Sequence, residues 1–328
     1  MKIALIESVI TLNSTKPDFT AKPADAAVVV QNLRKFYGKV PAVDGVSFEV
    51  RQGEVFGLLG PNGAGKTTTV EIIEGLLSRD EGAVTVCGYD PAADAGEVKQ
   101  RIGVALQATA LPDKIEVREA LRLFASFYRR RADIDELIAA FSLEDKARSR
   151  FETLSGGQQR RLAVALALVN DPEVIIMDEP TTGLDVQARL EVHTQIERLK
   201  KLGKTIILTT HYIEEAEKLC DRVAIMNHGR LIALDEPRTL VSQARGRARI
   251  EFRITAPVQI TDLRQIPFVE SVAEKHGAYV LLCADASHAL VELVKWIERE
   301  RLELEDLHVT RPTLEDVFIK LTRRKTGE

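Results

Sequence analysis

Gly60-Pro61-Asn62-Gly63-Ala64-Gly65-Lys66-Thr67 fits G-x-x-x-x-G-K-[ST] directly after the apolar run Val55-Phe56-Gly57-Leu58-Leu59. In that context the pattern is a phosphate cradle. The glycines let backbone fold around a phosphate that Cβ atoms would obstruct. The amides of 63–67 and the dipole of the following helix face a β-phosphate. Lys66 adds a point charge on β- and γ-phosphates, and the Thr67 hydroxyl can ligate Mg²⁺. Thr68 continues the same helix start. Asp178-Glu179 closes a second apolar run, Val174-Ile175-Ile176-Met177. Open α/β sheets bind ligands at the carboxyl ends of their strands. Asp178 there suits Mg²⁺, directly or through water, and Glu179 is placed to polarise an attacking water. A neutral amide, Gln107, ends the run from Ile102 to Leu106, where it can touch both Mg²⁺ and that water. Leu154-Ser155-Gly156-Gly157-Gln158 reads as a second helix start, with Ser155 as N-cap and backbone N–H groups aimed at a phosphate.

These residues need strands to carry them. Val28 to Leu33 and Val46 to Val50 alternate as strands, and 55–59 reads as a strand buried on both faces. Helix follows from Thr67 to Leu77, then short strands at 84–87 and 102–106. Residues 117–153 carry helix formers, the charge cluster Arg129-Arg130-Arg131 and no strand pattern, so they read as a helical insertion. The helix capped by Ser155 runs to Val169. Strand 174–177, helix 186–201, strand 205–209, a helix from 213 and strands near 222–226 and 230–234 complete the series. Alternating strand and helix predicts an α/β fold with a largely parallel sheet and helices on both faces. Beyond about Gln243 the rhythm resets to strand 248–254, strand 279–282, helix 287–299 and strand 304–309, a small α+β appendage. The expected domains are an N-terminal extension over 1–27, poorly ordered, a nucleotide-binding domain over 28–243 with a helical subdomain at about 117–170, and an accessory domain over 244–328.

Composition excludes several classes. A net charge of −4 and pI near 6.0 argue against nucleic acid as a partner. No window approaches the roughly 20 apolar residues that span a bilayer, so any membrane role goes through a separate protein. Cys87, Cys220 and Cys283 are odd in number and widely spaced, as in a reduced cytosolic protein. Glu7 interrupts the apolar stretch Ile3-Ala4-Leu5-Ile6, which makes a signal peptide a poor reading.

Taken in order, the motifs resemble the ATP-binding subunits of ABC transporters, and most closely those of drug-resistance or ABC-2 type exporters. The likeness is close from about 28 to 241. It implies a P-loop NTPase cassette with a parallel core, an antiparallel β subdomain and a helical subdomain. It also implies ATP and Mg²⁺ as ligands. It makes Gln107 the first residue of a loop that senses the transmembrane partner and His211 a contact of the γ-phosphate. His211 follows Thr209-Thr210 and precedes Glu214-Glu215-Ala216, matching the family pattern. Tyr37 becomes the ring that stacks on adenine, with Phe36 as the fallback. Gly183-Leu184-Asp185 resembles the loop that crosses a dimer interface. The family pairs the phosphate loop of one subunit with Ser155-Gly156-Gly157-Gln158 of another, implying a homodimer or heterodimer, a separate permease and a site at the cytoplasmic membrane face.

Phe56 to Gly65 and Arg311-Pro312-Thr313-Leu314-Glu315-Asp316-Val317-Phe318 resemble the exporter group. An importer ATPase with a C-terminal regulatory domain, and a non-transport ATPase, remain the alternatives. The short insertion at 117–153 and the one phosphate loop argue against repair and translation types. Cargo would bind the membrane subunit and is not legible here.

Overall fold

Continuous apolar runs produced the central strands. The computed structural model describes residues 25–105, 111–243, 248–275, 277–283, 285–310 and 313–323. The expectations for residues 1–24 and for Gln107 lie outside that set. Strands β1 (Ala26–Tyr37) and β2 (Val40–Arg51) form an antiparallel hairpin, with β4 (Glu81–Val86) antiparallel on the other side of β1. The second sheet has the order β5-β6-β7-β3-β8-β9. Its members are β3 (Val55–Leu59), β5 (Ile102–Ala105), β6 (Val174–Asp178), β7 (Thr205–Thr210), β8 (Arg222–Asn227) and β9 (Arg230–Asp235). All pair in parallel except β9, which runs antiparallel to β8. β3, β7 and β8 are buried along their whole length, as helices on both faces demand. The α/β fold with an antiparallel β sheet and a helical insertion is therefore the one the motif order implied.

Helix α1 (Lys66–Ile73) follows β3, and α2 (Ala95–Arg101) precedes β5. The insertion holds α3 (Val117–Ser126), started by a capping box between Glu116 and Glu119, and α4 (Ile134–Ala140), capped by Asp133. Then come α5 (Gly156–Leu166), α6 (Val186–Lys201), α7 (Ile213–Leu219) and α8 (Pro237–Gln243). One apolar cluster joins the insertion to one face of the parallel sheet, and a second fills the space between the antiparallel sheet, α1 and the other face. Helix α1 stops at Ile73, not Leu77, because Glu74 and the positive-φ Gly75 end it.

The C-terminal part forms a sheet of order β11-β12-β10-β13, made of β10 (Ala248–Ile254), β11 (Val269–Lys275), β12 (Ala278–Cys283) and β13 (Leu304–Thr310). Helices α9 (Ile260–Leu263) and α10 (Ala286–Arg299) accompany it. Ala289, Leu293, Trp296 and Ile297 of α10 share a core with Ile250, Phe252 and Leu281 of the sheet. The edge strand β11 escaped the sequence pattern because Glu270, Glu274 and Lys275 break its alternation. The last helix, α11 (Leu314–Arg323), leaves this sheet. Its Leu314 and Val317 are buried in the cluster of the parallel sheet, and it packs on α7 and α8. Among the described residues, no helix is long and apolar enough to cross a membrane.

Candidate functional site

The carboxyl ends of β3, β6 and β7 are neighbours in the sheet, so the residues that follow them meet. After β3 the chain turns through Gly60 to Gly65 into α1. Gly65 sits at the helix N-cap with φ 96°, and a Cβ there would stand 2.3 Å from the Ala42 carbonyl oxygen. A Cβ on Gly60 would stand 2.5 Å from the Met226 carbonyl oxygen. Only glycine lets the loop close this tightly against β2 and β8. Pro61, Asn62 and Gly63 are exposed at the loop's tip, while Ala64 is buried beneath it.

Lys66 is 4% exposed and donates to the carbonyls of Gly60 (2.8 Å) and Pro61 (3.2 Å). Its Nζ also lies 3.4 Å from Glu179 Oε1. The exposed Thr67 hydroxyl donates to Asp178 Oδ2 at 3.4 Å, and Thr68 follows half-buried. Asp178 accepts a further hydrogen bond from the Thr209 hydroxyl. Glu179 has φ 44°, a left-handed conformation that costs a non-glycine residue energy. Its N–H donates to the Thr209 carbonyl (3.2 Å) and hydroxyl (2.9 Å). Its carboxylate accepts from Thr182 (3.1 Å) and faces His211 Nδ1 at 3.3 Å. Burial pushes the Glu179 carboxyl up, but His211, Lys66 and the Thr182 hydroxyl outweigh it and hold the group below its usual range. The carboxylate is therefore ionised at neutral pH and able to accept a proton.

Asp178 and Thr67 present hard oxygen donors side by side, which fits Mg²⁺. That ion takes few protein ligands and completes its shell with phosphate and water. The described residues contain no group of three or more His, Cys, Asp or Glu side chains placed to hold a metal ion.

Tyr37 pairs with Val40 across the first hairpin, one ladder step from Pro41, and Ala42 abuts the phosphate loop. The ring is 53% exposed, so it is free to take a stacking partner, whereas Phe36 is less open. Ser155 caps α5 through a capping box: its hydroxyl accepts from Gln158 N–H (3.3 Å), and Gln158 Oε1 accepts from Ser155 N–H (2.9 Å). A Cβ on Gly156 would meet nothing within 4 Å, and one on Gly157 only Glu191 Oε2 at 3.9 Å. Asp185 caps α6 by accepting from Ala188 N–H at 2.8 Å.

Sequence reasoning passed over Thr209 and Thr182, which orient Asp178 and Glu179. The available signal was a pair of hydroxyls, Thr209-Thr210, closing a strand whose middle, Ile206 to Leu208, is apolar. It gave no role to Thr181, His193 or Glu215, which meet beneath the site, with Glu215 as the shared acceptor.

The ABC transporter family model matches residues 43–182, and a second model, the C-terminal domain of DrrA1-3-like ATP-binding proteins, matches residues 242–322. The chain is 41% identical over 307 residues to the Nod factor export ATP-binding protein I of Paraburkholderia xenovorans, covering 92% of this chain and 98% of the relative. It is 38% identical over 312 residues to the daunorubicin resistance ATP-binding protein DrrA3 of Streptomyces coeruleorubidus, covering 91% and 96%. A dimeric ATP-binding cassette solved in a post-hydrolysis state with ADP and Pi superposes with a TM-score of 0.57 at 27% identity, covering 64% of this chain and 98% of that one. With the phosphate loop, the acidic strand end and the capped glycine helix all in place, the chain belongs to the ATP-binding subunits of ABC transporters, a family of ATP hydrolases, and carries a DrrA-like C-terminal domain.

Proposed function

We propose that this subunit binds ATP between two cassettes and drives a separate membrane permease that exports a drug-like, lipid or polysaccharide compound. The convergence of Lys66, Thr67, Asp178, Glu179 and His211 at one sheet edge carries the reading. Amides of the phosphate loop and Lys66 would hold the β- and γ-phosphates, Thr67 and Asp178 would hold Mg²⁺, and Tyr37 would stack on adenine. Mg²⁺ would neutralise phosphate charge. Glu179 would take a proton from water as its oxygen bonds to the γ-phosphorus and the bond to the bridging oxygen breaks. His211 would contact the γ-phosphate and orient Glu179. Gln107 would complete the site.

Ser155, Gly156, Gly157 and Gln158 would close over the ATP of a second subunit, with Asp185 at the interface. Support comes from the open space around Gly156 and Gly157 and from the dimeric state of the related cassette. The export direction rests on two relatives, one named for export and one for drug resistance. The expected position is the cytoplasmic face of the membrane, as a peripheral subunit.

Glu179→Gln tests this. ATP affinity should persist in calorimetry while hydrolysis falls by about 10²- to 10⁴-fold, and light scattering should show dimer with ATP and Mg²⁺. A variant that hydrolyses ATP at the wild-type rate would remove Glu179 from the chemistry.

A further inference from the structure

A buried carboxylate beneath the site joins the segments that carry its catalytic groups. Glu215, on α7, is 2% exposed. Its Oε1 accepts from the Thr181 hydroxyl and lies 3.0 Å from His193 Nε2, and its Oε2 accepts from the Thr210 hydroxyl at 2.9 Å. Thr210 Oγ1 in turn accepts from Tyr212 N–H at 2.9 Å. Thr181 lies two residues beyond Glu179, Thr210 immediately precedes His211, and His193 belongs to α6, whose N-cap is Asp185.

The same helix makes a second attachment. The Arg189 guanidinium sits 4.8 Å from the centre of the Tyr212 ring, which is itself 4.2 Å from the His211 ring. Arg189 and His193 are four residues apart and so share one face of α6. Burying a carboxylate is costly unless its oxygens are satisfied, and here donors arrive from the segment after β6, from α6 and from the end of β7. An apolar residue would fill the space without that requirement. Both Glu215 oxygens are satisfied, although His193 Nδ1 has no hydrogen-bond partner among the described residues, and such buried hydrogen bonds favour one geometry among several.

We propose that Glu215 is a positioning residue that, with His193 and the Arg189–Tyr212 stack, holds the 180–185 loop and His211 in one rigid frame. Displacement of the loop at a subunit interface then reaches the Glu179–His211 pair without loss. This rests on the reading of Glu179 and His211 given above.

The test uses the full chain with ATP and Mg²⁺. Glu215→Gln should lower kcat by about tenfold or more, the scale of a lost hydrogen bond to a charged group, with KM for ATP changed by less than about twofold. His193→Leu should do the same, and His193→Gln, which keeps a donor, should restore most of the rate. Arg189→Met, at a partly exposed position, should lower kcat by a few fold and keeps the test alive if the buried variants do not fold. In a His211→Ala background, Glu215→Gln should cost clearly less than in the wild type, because part of its effect passes through His211 and the rest through Thr181 and the 180–185 loop. An unchanged kcat in folded Glu215→Gln, or the full loss repeated on top of His211→Ala, would overturn the proposal while leaving the site reading intact. A wild-type chain without ATPase activity would instead overturn that site reading.

Discussion

Two helices in this molecule begin on glycine-rich segments, and their glycines answer to different neighbours. At the start of α1, Gly60 and Gly65 are demanded by the chain itself, since a Cβ would strike the carbonyls of Met226 and Ala42. At the start of α5, Gly156 and Gly157 face open space, and neither has a positive φ. Glycine weakens a helix by about 1 kcal/mol relative to alanine, and nothing among the described residues requires it there. The phosphate loop is thus shaped from inside, whereas the α5 start keeps room for something from outside. That contrast supports the proposal above that a second subunit would close over the site.

The sharpest way to break the comparison is Gly157→Asp. A Cβ at position 157 meets only Glu191 Oε2, at 3.9 Å, so the fold and ATP binding at Lys66 should survive. The carboxylate would oppose a phosphate arriving from another subunit, and ATPase activity should fall by about 10²- to 10³-fold, the scale of losing an anion-stabilising donor. Mixing this variant with Lys66→Ala chains should restore part of the activity, because one of the two mixed sites has both halves intact. Full activity in the unmixed variant would refute a role in trans.

Alanine at the two helix starts separates stability from function. Gly65→Ala combines a positive φ with a backbone clash and should destabilise by about 3 kcal/mol. Gly157→Ala should leave stability unchanged or raise it by up to about 1 kcal/mol. Urea unfolding of both variants measures the difference, and equal losses would end the distinction.

A smaller effect concerns the far end of α1. Glu74 is buried, and burial together with the Asp178 and Glu71 charges raises its carboxyl to about 8. The folded value exceeds the unfolded one of 4.5. Its contribution is therefore fully present below about pH 4.5 and declines as pH rises through about 8. Glu74→Gln should flatten that decline, which has a limiting slope of about 1.4 kcal/mol per pH unit. Urea unfolding at pH 5.5, 7 and 8.5 would show it, and parallel profiles for variant and wild type would contradict the raised carboxyl pKa.

Gly60 to Thr67, Asp178-Glu179 and the Ser155 cap were legible because each depends on a few consecutive residues. Steric freedom, a strand end and a helix cap are local properties, and apolar runs mark the strands that carry them. The order of the motifs then made the family recognisable. What remained hidden depends on residues far apart in the chain. Glu214-Glu215-Ala216 enters the sequence reading only as part of the pattern around His211, and only folding brings Glu215 against Thr181 and His193. Leu314 and Val317 sit in a stretch grouped by sequence with the C-terminal appendage, yet they bury themselves in the cluster of the parallel sheet. The sequence alone determined which groups could do chemistry and which strands would hold them. Tertiary structure decided which of those groups share a frame, because buried contacts between distant segments follow from packing and leave no local pattern.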